Sequence, residues 1–591
     1  MKRYGYLISL GIGIFLSVCF GYLYFHNHAY GAWGDDSPGY IYLWGRMSQN
    51  KQLVYKEPLT VKALNFFHDE KLARWTTPTH HEIISPQGYL ASKYPIGLSQ
   101  IMYIFSKIFN SELAVYYVLP GLATFIVILT YLICNIIFFE IKWKYFFSVG
   151  AAIIVGLASL FYEAAVSQPM REIPSIFFML FGYYCLLQAM ASWQRNNQNK
   201  QGIFFYLLII LAFLNLGMSI NIRETSLVIL PAFLILFWEV DKKNKMSVET
   251  CHGMSLQKKS IIKLSLISVV ILIVGLAPSI INSINISQYK EKFKKKDITS
   301  VAITSNFDHI RSFSFSNLFN NNGKFKSGDQ GGLEHYWQTL LAMSPLPYFM
   351  LLVVIGFIYL YKKNKWQFAS LIWWLLSFLV VFSLWINPYS RYILPLFPLL
   401  GIISMYGLYN LIVQLMPQYI KNKKWQFIIG VVIICSSIVS YQPVIAQMVE
   451  NIKLSPDEIH INKSISLTDL NKLEDIGSRI ILNAKQQPEK KPLLMFTGAW
   501  QYGLSETLEA HTGLQSIRMP LEQKFDFNED KVKEFFDQTL LTDYQLYIWL
   551  DTSTKPETRD WLDKNYSLQK KITSNFSFEE ETTIYEITPK N

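Results

Sequence analysis

Apolar stretches of about 20 residues recur along this chain, each long enough to cross the hydrocarbon core of a bilayer. Eleven spans are read, over residues 4–25, 113–139, 145–160, 173–191, 202–220, 226–240, 261–281, 345–361, 368–386, 392–416 and 425–444. Only 16% of the 591 residues are charged, while 51% are hydrophobic and 15% aromatic. A soluble chain carries charge at about a quarter of its positions. The expected fold class is therefore a polytopic α-helical membrane protein with about 11 transmembrane helices, followed by a small soluble α/β domain.

Charge sets the expected orientation. The net charge of +11 would suit nucleic acid, but the lysines fall in short loops between apolar runs. The chain starts "MKR", and the alternate connections read "IKWK", "WQRNNQNK", "DKKNKMSVETCHGMSLQKK", "YKKNK" and "KNKK". All are basic, as cytoplasmic loops are. The first span has a basic start and no clear small-residue cleavage site, so it reads as an uncleaved anchor. The expectation is an inner or plasma membrane protein with a cytoplasmic N-terminus and no nucleic-acid partner. Its other face carries a first loop (26–111), a second large loop (282–344), several short turns and the tail. The tail begins after about residue 445. The five cysteines avoid it, so neither disulfides nor a cysteine zinc site is expected there.

Within 446–591, helical spacing in "DLNKLEDIGSRIILNAK", "DKVKEFFDQTLL" and "ETRDWLDKNY" alternates with strand-like "KPLLMFTG", "YQLYIWLD" and "TTIYEIT". Charged residues mark the predicted outer lip. Asp35 and Asp36 follow the first span. Arg171, Arg223 and Arg391 each stand at a span end, with Glu172 and Glu224 beside the first two. Charges near hydrocarbon face a partner or an aqueous cavity, although an Arg–Glu turn also simply marks a span end. Guanidinium groups grip phosphate oxygens in pairs. Ser37 and Pro38 predict the start of a helix, aromatic on one side, lying along the interface. One of the two aspartates is explained by capping that helix. The other is free to act as a general base toward a hydroxyl.

These segments resemble a known family. "GDDSPGYIYLWGRM", then "SKYPIGLSQIMYIF", "QPMREIPSIFFMLFGYYCLL", "NIRETSLVILPAFLI" and "SRYILPLFPLLGIISMYGL" are similar, in order, to GT-C membrane glycosyltransferases of the protein-mannosyltransferase and aminoarabinose-transferase type. The likeness covers residues 1–445, although "KYPIG" replaces the commoner "KYPP". It implies transfer of one sugar, with inversion, from a polyprenyl-phosphate carrier to an envelope glycan, lipid or protein on the outer face. By this likeness Asp35 is the base, with Asp36 and Glu172 as second acidic candidates. Lys93, Tyr94, Arg171, Arg223 and Arg391 are carrier-phosphate candidates.

Weaker signals point nowhere specific. His68, Asp69, His80, His81 and Glu82 are metal-ligand types without ligand spacing, so a solvated loop is expected. No cofactor is called for, and a divalent metal is left open. "GAWQYG" partly matches the "WWDYG" signature of oligosaccharyltransferases but lacks its second tryptophan and its aspartate; a loop after a strand is the expectation. The polybasic "KEKFKKK" suits lipid head groups or solvent equally. The competing readings are a flippase of lipid-linked sugar, whose charges would sit near the midplane, and an oligosaccharyltransferase-like enzyme.

Overall fold

The computed structural model describes residues 2–31, 36–141, 143–167, 169–195, 203–248, 254–290, 331–343, 349–385, 389–418, 420, 422–459, 464–497, 502–522, 527–577 and 579–590. Asp35 lies outside these residues, as do most of "KEKFKKK" and residues 498–501 of "GAWQYG".

Helices dominate the first three quarters of the chain. Among the described residues seven are long and apolar enough to cross a membrane, and nine if each of two bent pairs counts as one span. The chain is an integral-membrane protein. Every one of the eleven expected runs coincides with a helix, but not every helix is a span by itself. The 145–160 run is a helix pair, Lys144–Leu157 and Ser159–Val166, bent by 63° where Ala158 turns extended. The 425–444 run is likewise bent, by 57°. Phe349–Lys363 has 15 residues, about 22 Å of helix against a core of about 30 Å. Leu230–Val248 runs on into the basic "DKKNK" sequence.

The first loop is a folded element. It holds a helix at Ser37–Ser48, another at Pro58–Phe67, and a small antiparallel sheet in the order Tyr55–Lys56, Tyr89–Ser92, His81–Ile83. The Ser37–Ser48 helix does not lie on an interface as expected. Its residues Ser37 to Gly45 are buried, because the Tyr502–Thr512 helix of the tail covers it. The two backbones touch at Gly45, where an added Cβ would stand 2.6 Å from the Ala510 Cα.

The tail builds a five-stranded mixed sheet. Its order is Ser516–Arg518, Lys491–Phe496, Tyr544–Leu550, Glu579–Pro589, Tyr566–Phe576. The first three strands are parallel and the last two antiparallel. Lys491–Phe496 and Tyr544–Leu550 are central, and their apolar runs are those of strands buried on both faces. One apolar core joins tail and first loop: Leu59, Trp75 and Leu90 pack with Leu493, Ile517 and Phe535. Burying a large apolar side chain stabilises by about 1.5–3 kcal/mol, so the loop and the tail support each other.

Candidate active site

The residues singled out at the predicted lip come from four separated segments and meet at one end of the helix bundle. Asp36 immediately precedes the Ser37–Ser48 helix. Its side chain makes no capping bond there. Instead Asp36 Oδ1 accepts from the Tyr94 hydroxyl at 2.6 Å, and Oδ2 from Arg391 Nη2 at 2.9 Å. Capping therefore does not explain Asp36. Burial pushes its carboxyl pKa up, but the Arg391 and Arg171 charges, the Tyr94 hydroxyl and His80 outweigh burial and hold it below the usual carboxylate range. An ionised carboxylate held this way is an anchor and a weak base.

Glu172 starts the Glu172–Arg195 helix, where the helix dipole favours an acid. It is buried, with Oε1 3.7 Å from both Arg223 Nη1 and Arg391 Nε. Arg223 follows the Ile203–Ile222 helix and is only 1% exposed. Its guanidinium lies 4.9 Å from the ring centres of both Phe382 and Tyr392. Arg391, in the Ser390–Leu396 turn, approaches the Tyr392 and Tyr389 rings at 5.7 and 5.1 Å. Such cation–aromatic contacts each contribute about 0.5–2 kcal/mol. Arg171 pairs with Glu224 at 3.3 Å. Among the described residues, three guanidinium groups thus face three carboxylates, with Arg171 and Arg391 more exposed than Arg223.

Lys93 belongs to an adjoining cluster. It contacts Glu82 Oε1 at 3.0 Å and donates to the Thr79 carbonyl at 3.2 Å. Burial, with the Arg74 and Arg518 charges, pushes its pKa down to about 8. Arg74 also pairs with Glu82. The histidine loop is not solvated throughout. His68 and Asp69 are exposed, whereas His80, His81 and Glu82 are buried. His81 is buried between Tyr42 and Tyr55, Glu82 against Arg74 and Lys93, and His80 under the tail. Glu506 of the Tyr502–Thr512 helix accepts from the His80 backbone N–H at 2.9 Å and pairs with His80 Nδ1. The His80 ring lies 5.3 Å from that of Tyr94. No group of three His, Cys, Asp or Glu residues among those described is placed to hold a metal.

The structure thus brings together Asp36, Tyr94, Arg171, Glu172, Arg223 and Arg391, and sets Lys93 one cluster away. It adds Glu224, visible in the sequence as a twin of Glu172. It also adds the His80–Glu506 pair, which had no local signal because its partners are 426 residues apart.

This architecture is found in solved structures. The archaeal oligosaccharyltransferase AglB from Archaeoglobus fulgidus, in complex with an inhibitory peptide and a dolichol-phosphate, matches with a TM-score of 0.54 at 11% identity, over 100% of this chain and 75% of that one. ArnT from Cupriavidus metallidurans bound to undecaprenyl phosphate matches with a TM-score of 0.54 at 12% identity, over 99% of this chain and 98% of that one. In its apo state ArnT matches at 0.53 and 11%, with the same coverage. At such identities the likeness shows the fold, and the fold is GT-C, as the sequence motifs implied. No protein-family model matches the chain. No curated protein matches it.

Proposed function

We propose that the chain is a membrane glycosyltransferase that moves one sugar from a polyprenyl-phosphate carrier to an acceptor on the outer face of the membrane. The observation that carries this reading is the meeting of Asp36, Tyr94, Glu172, Arg171, Arg223 and Arg391 where membrane helices end. A lipid-tailed donor reaches such a place from the bilayer. The bond from the sugar's C1 to the phosphate breaks, and the phosphate leaves with the electron pair. The acceptor oxygen attacks C1 from the opposite face, with inversion. Its proton goes to a carboxylate, for which Asp35 is the assignment. Arg171 and Arg391, pre-arranged against Glu224 and Asp36, stabilise the charge growing on the phosphate. Lys93 and Tyr94 flank the approach, and buried Arg223 and Glu172 keep the other groups in place.

The same reading takes all eleven apolar runs as spans, places the chain in the inner or plasma membrane with a cytoplasmic N-terminus, and puts 26–111 and 446–591 outside. ArnT with bound undecaprenyl phosphate and AglB with dolichol-phosphate support a polyprenyl carrier. A flippase fits less well, because the charges described here gather at span ends. The likeness to AglB keeps an oligosaccharyltransferase-like activity as the second reading.

The test is transfer of label from a carrier-linked monosaccharide by purified protein in nanodiscs. Mass spectrometry of envelope glycans and lipid-linked sugars, with and without the gene, accompanies it. Loss of one glycan modification and build-up of one carrier-linked sugar is the expected result. Build-up of a carrier-linked oligosaccharide would favour the second reading, and unchanged glycans would sink both.

A further inference from the structure

Beside the charged cluster lies a groove of about 560 Å³ whose polar lining is made almost wholly of carboxamides: Gln52, Gln100, Asn282, Asn285 and Gln288, with Tyr289 at one end. Among the described residues, none that lines it is charged. Leu53, Ile96 and Ile281 supply apolar surface between the amides. The volume lies in the range of small-ligand sites. Among the described residues the side chains of Asn282, Asn285 and Gln288 make no hydrogen bond.

The groove is built on a firm frame. The end of the Met254–Tyr289 helix packs against the first loop. Pro278, Ile281, Asn282, Asn285 and Gln288 recur at three- and four-residue steps and so share one face of it. Ile286 packs with Val54, Ile84 and Ala91, and Tyr289 stacks on Tyr89 with ring centres 4.6 Å apart. The opposite wall is the start of the Gly97–Ile108 helix. There an added Cβ on Gly97 would stand 2.7 Å from the Asn221 carbonyl, and Gln100 Oε1 accepts from Asn221 Nδ2 at 3.2 Å. Asn221 is two residues before Arg223 and Ile96 two after Tyr94, so the groove and the charged cluster share a wall.

A carboxamide offers both a donor and an acceptor, as a sugar hydroxyl does. Five of them with an aromatic ring are matched to an uncharged, hydroxyl-rich ligand, and an anionic ligand would find no cation among the described lining residues. We propose that this groove binds the sugar portion of the acceptor, and that this portion is an uncharged oligosaccharide. The inference rests on the transferase reading above. The donor sugar belongs elsewhere, since its phosphate must meet Arg171 and Arg391, which are not among the groove's lining residues.

Saturation-transfer NMR on the full chain in nanodiscs tests it, with maltotriose and chitotriose as uncharged probes and trigalacturonate as an anionic one. At least one uncharged trisaccharide is expected to bind, and to bind about tenfold more tightly than trigalacturonate. Saturating undecaprenyl phosphate should leave that binding unchanged. The double substitution Asn282→Leu with Asn285→Leu should weaken it about tenfold while undecaprenyl phosphate still binds, which shows that the variant is folded. No binding by either uncharged probe, equal binding of trigalacturonate, competition by undecaprenyl phosphate, or indifference to the double substitution would each overturn the proposal. Trisaccharide binding that meets these expectations, in a protein with no transfer from any carrier-linked sugar, would uphold the groove as a glycan site and sink the transferase reading instead.

Discussion

Two aspartates stand side by side in the sequence, but only Asp36 has a described environment. It is spent on Arg391 and Tyr94, which leaves Asp35 as the base in the proposed reaction. Asp35→Asn is expected to cut turnover by about 10²–10⁴-fold, the usual contribution of a positioned acid or base, with normal expression. Near-normal turnover would move the base to another group. Asp36→Asn keeps the shape but loses the charge that holds Arg391. It should raise the KM for the carrier-linked donor more than it lowers kcat, and steady-state kinetics with varied donor separates the two. The arginines divide by burial. Arg223→Ala removes one of the two arginines beside buried Glu172 and leaves Arg391 at 3.7 Å, so it should lower the melting temperature, by less than the about 3–5 kcal/mol of a buried pair broken outright. Arg391→Ala and Arg171→Ala should fold yet use the carrier poorly, with lysine rescuing only in part because it lacks the paired donors. Normal donor saturation in both alanine variants would reduce these arginines to markers of span ends.

The elements that matter most are the Ser37–Ser48 helix and the tail helix Tyr502–Thr512 that covers it. Their contact depends on protons. Glu509 accepts from the Tyr42 hydroxyl at 3.0 Å and faces Glu57 and Arg46. Burial, then the charge of Glu57, pushes its pKa from 4.5 up to about 7. A raised acid pKa in the folded state means that the stabilisation is complete below about pH 4.5 and is lost as pH rises through about 7. His511 changes in the same direction. Burial alone would lower its pKa, but Glu112 and Glu474 outweigh burial and raise it above 6.5, so its contribution is present below pH 6.5 and is lost as pH climbs past the raised value. Amide exchange in both helices, divided by its intrinsic base-catalysed rate, should therefore rise as pH climbs from about 4.5 through about 7. Glu509→Gln, neutral throughout, should flatten most of that rise; an unchanged profile would show that Glu509 does not titrate in this range. At the same contact, Gly45→Ala forces the Ala510 backbone away and should cost about 1–3 kcal/mol, read as faster proteolysis of the tail.

On the scale of the whole molecule, the first loop and the tail share one apolar core, so both must lie on the same side of the membrane. In the orientation proposed from the basic alternate connections, that side is the outside. Reporter fusions after Ser48, Gly331 and Lys491 should all report the periplasm or exterior. A cytoplasmic signal at any of them would break the proposed active face. The shared core carries a second consequence. A chain cut before residue 446 should expose Leu59, Trp75 and Leu90, and its first loop should be digested quickly by added protease. Equal protection with and without the tail would show that the loop folds alone.

The membrane character, the helices of the apolar runs and much of the tail's alternation of helix and strand were written in the sequence, because each depends on about 5 to 25 consecutive residues and their apolar spacing. The GT-C motifs were legible for the same reason, each being a short string at a span end. The tail helix Tyr502–Thr512 and the edge strands Ser516–Arg518 and Tyr566–Phe576 were missed; the last keeps polar residues that mask its period. What the tertiary structure alone decided is where charges go. Asp36 reads as a helix cap from its neighbours, yet turns to an arginine 355 residues away. His80 reads as a solvated loop residue, yet is buried under Glu506. Lys93 and Tyr94 are adjacent in the chain but serve different clusters. A charged side chain takes the partner that best offsets its desolvation, and that partner is chosen by the packing of distant segments, which no local pattern records.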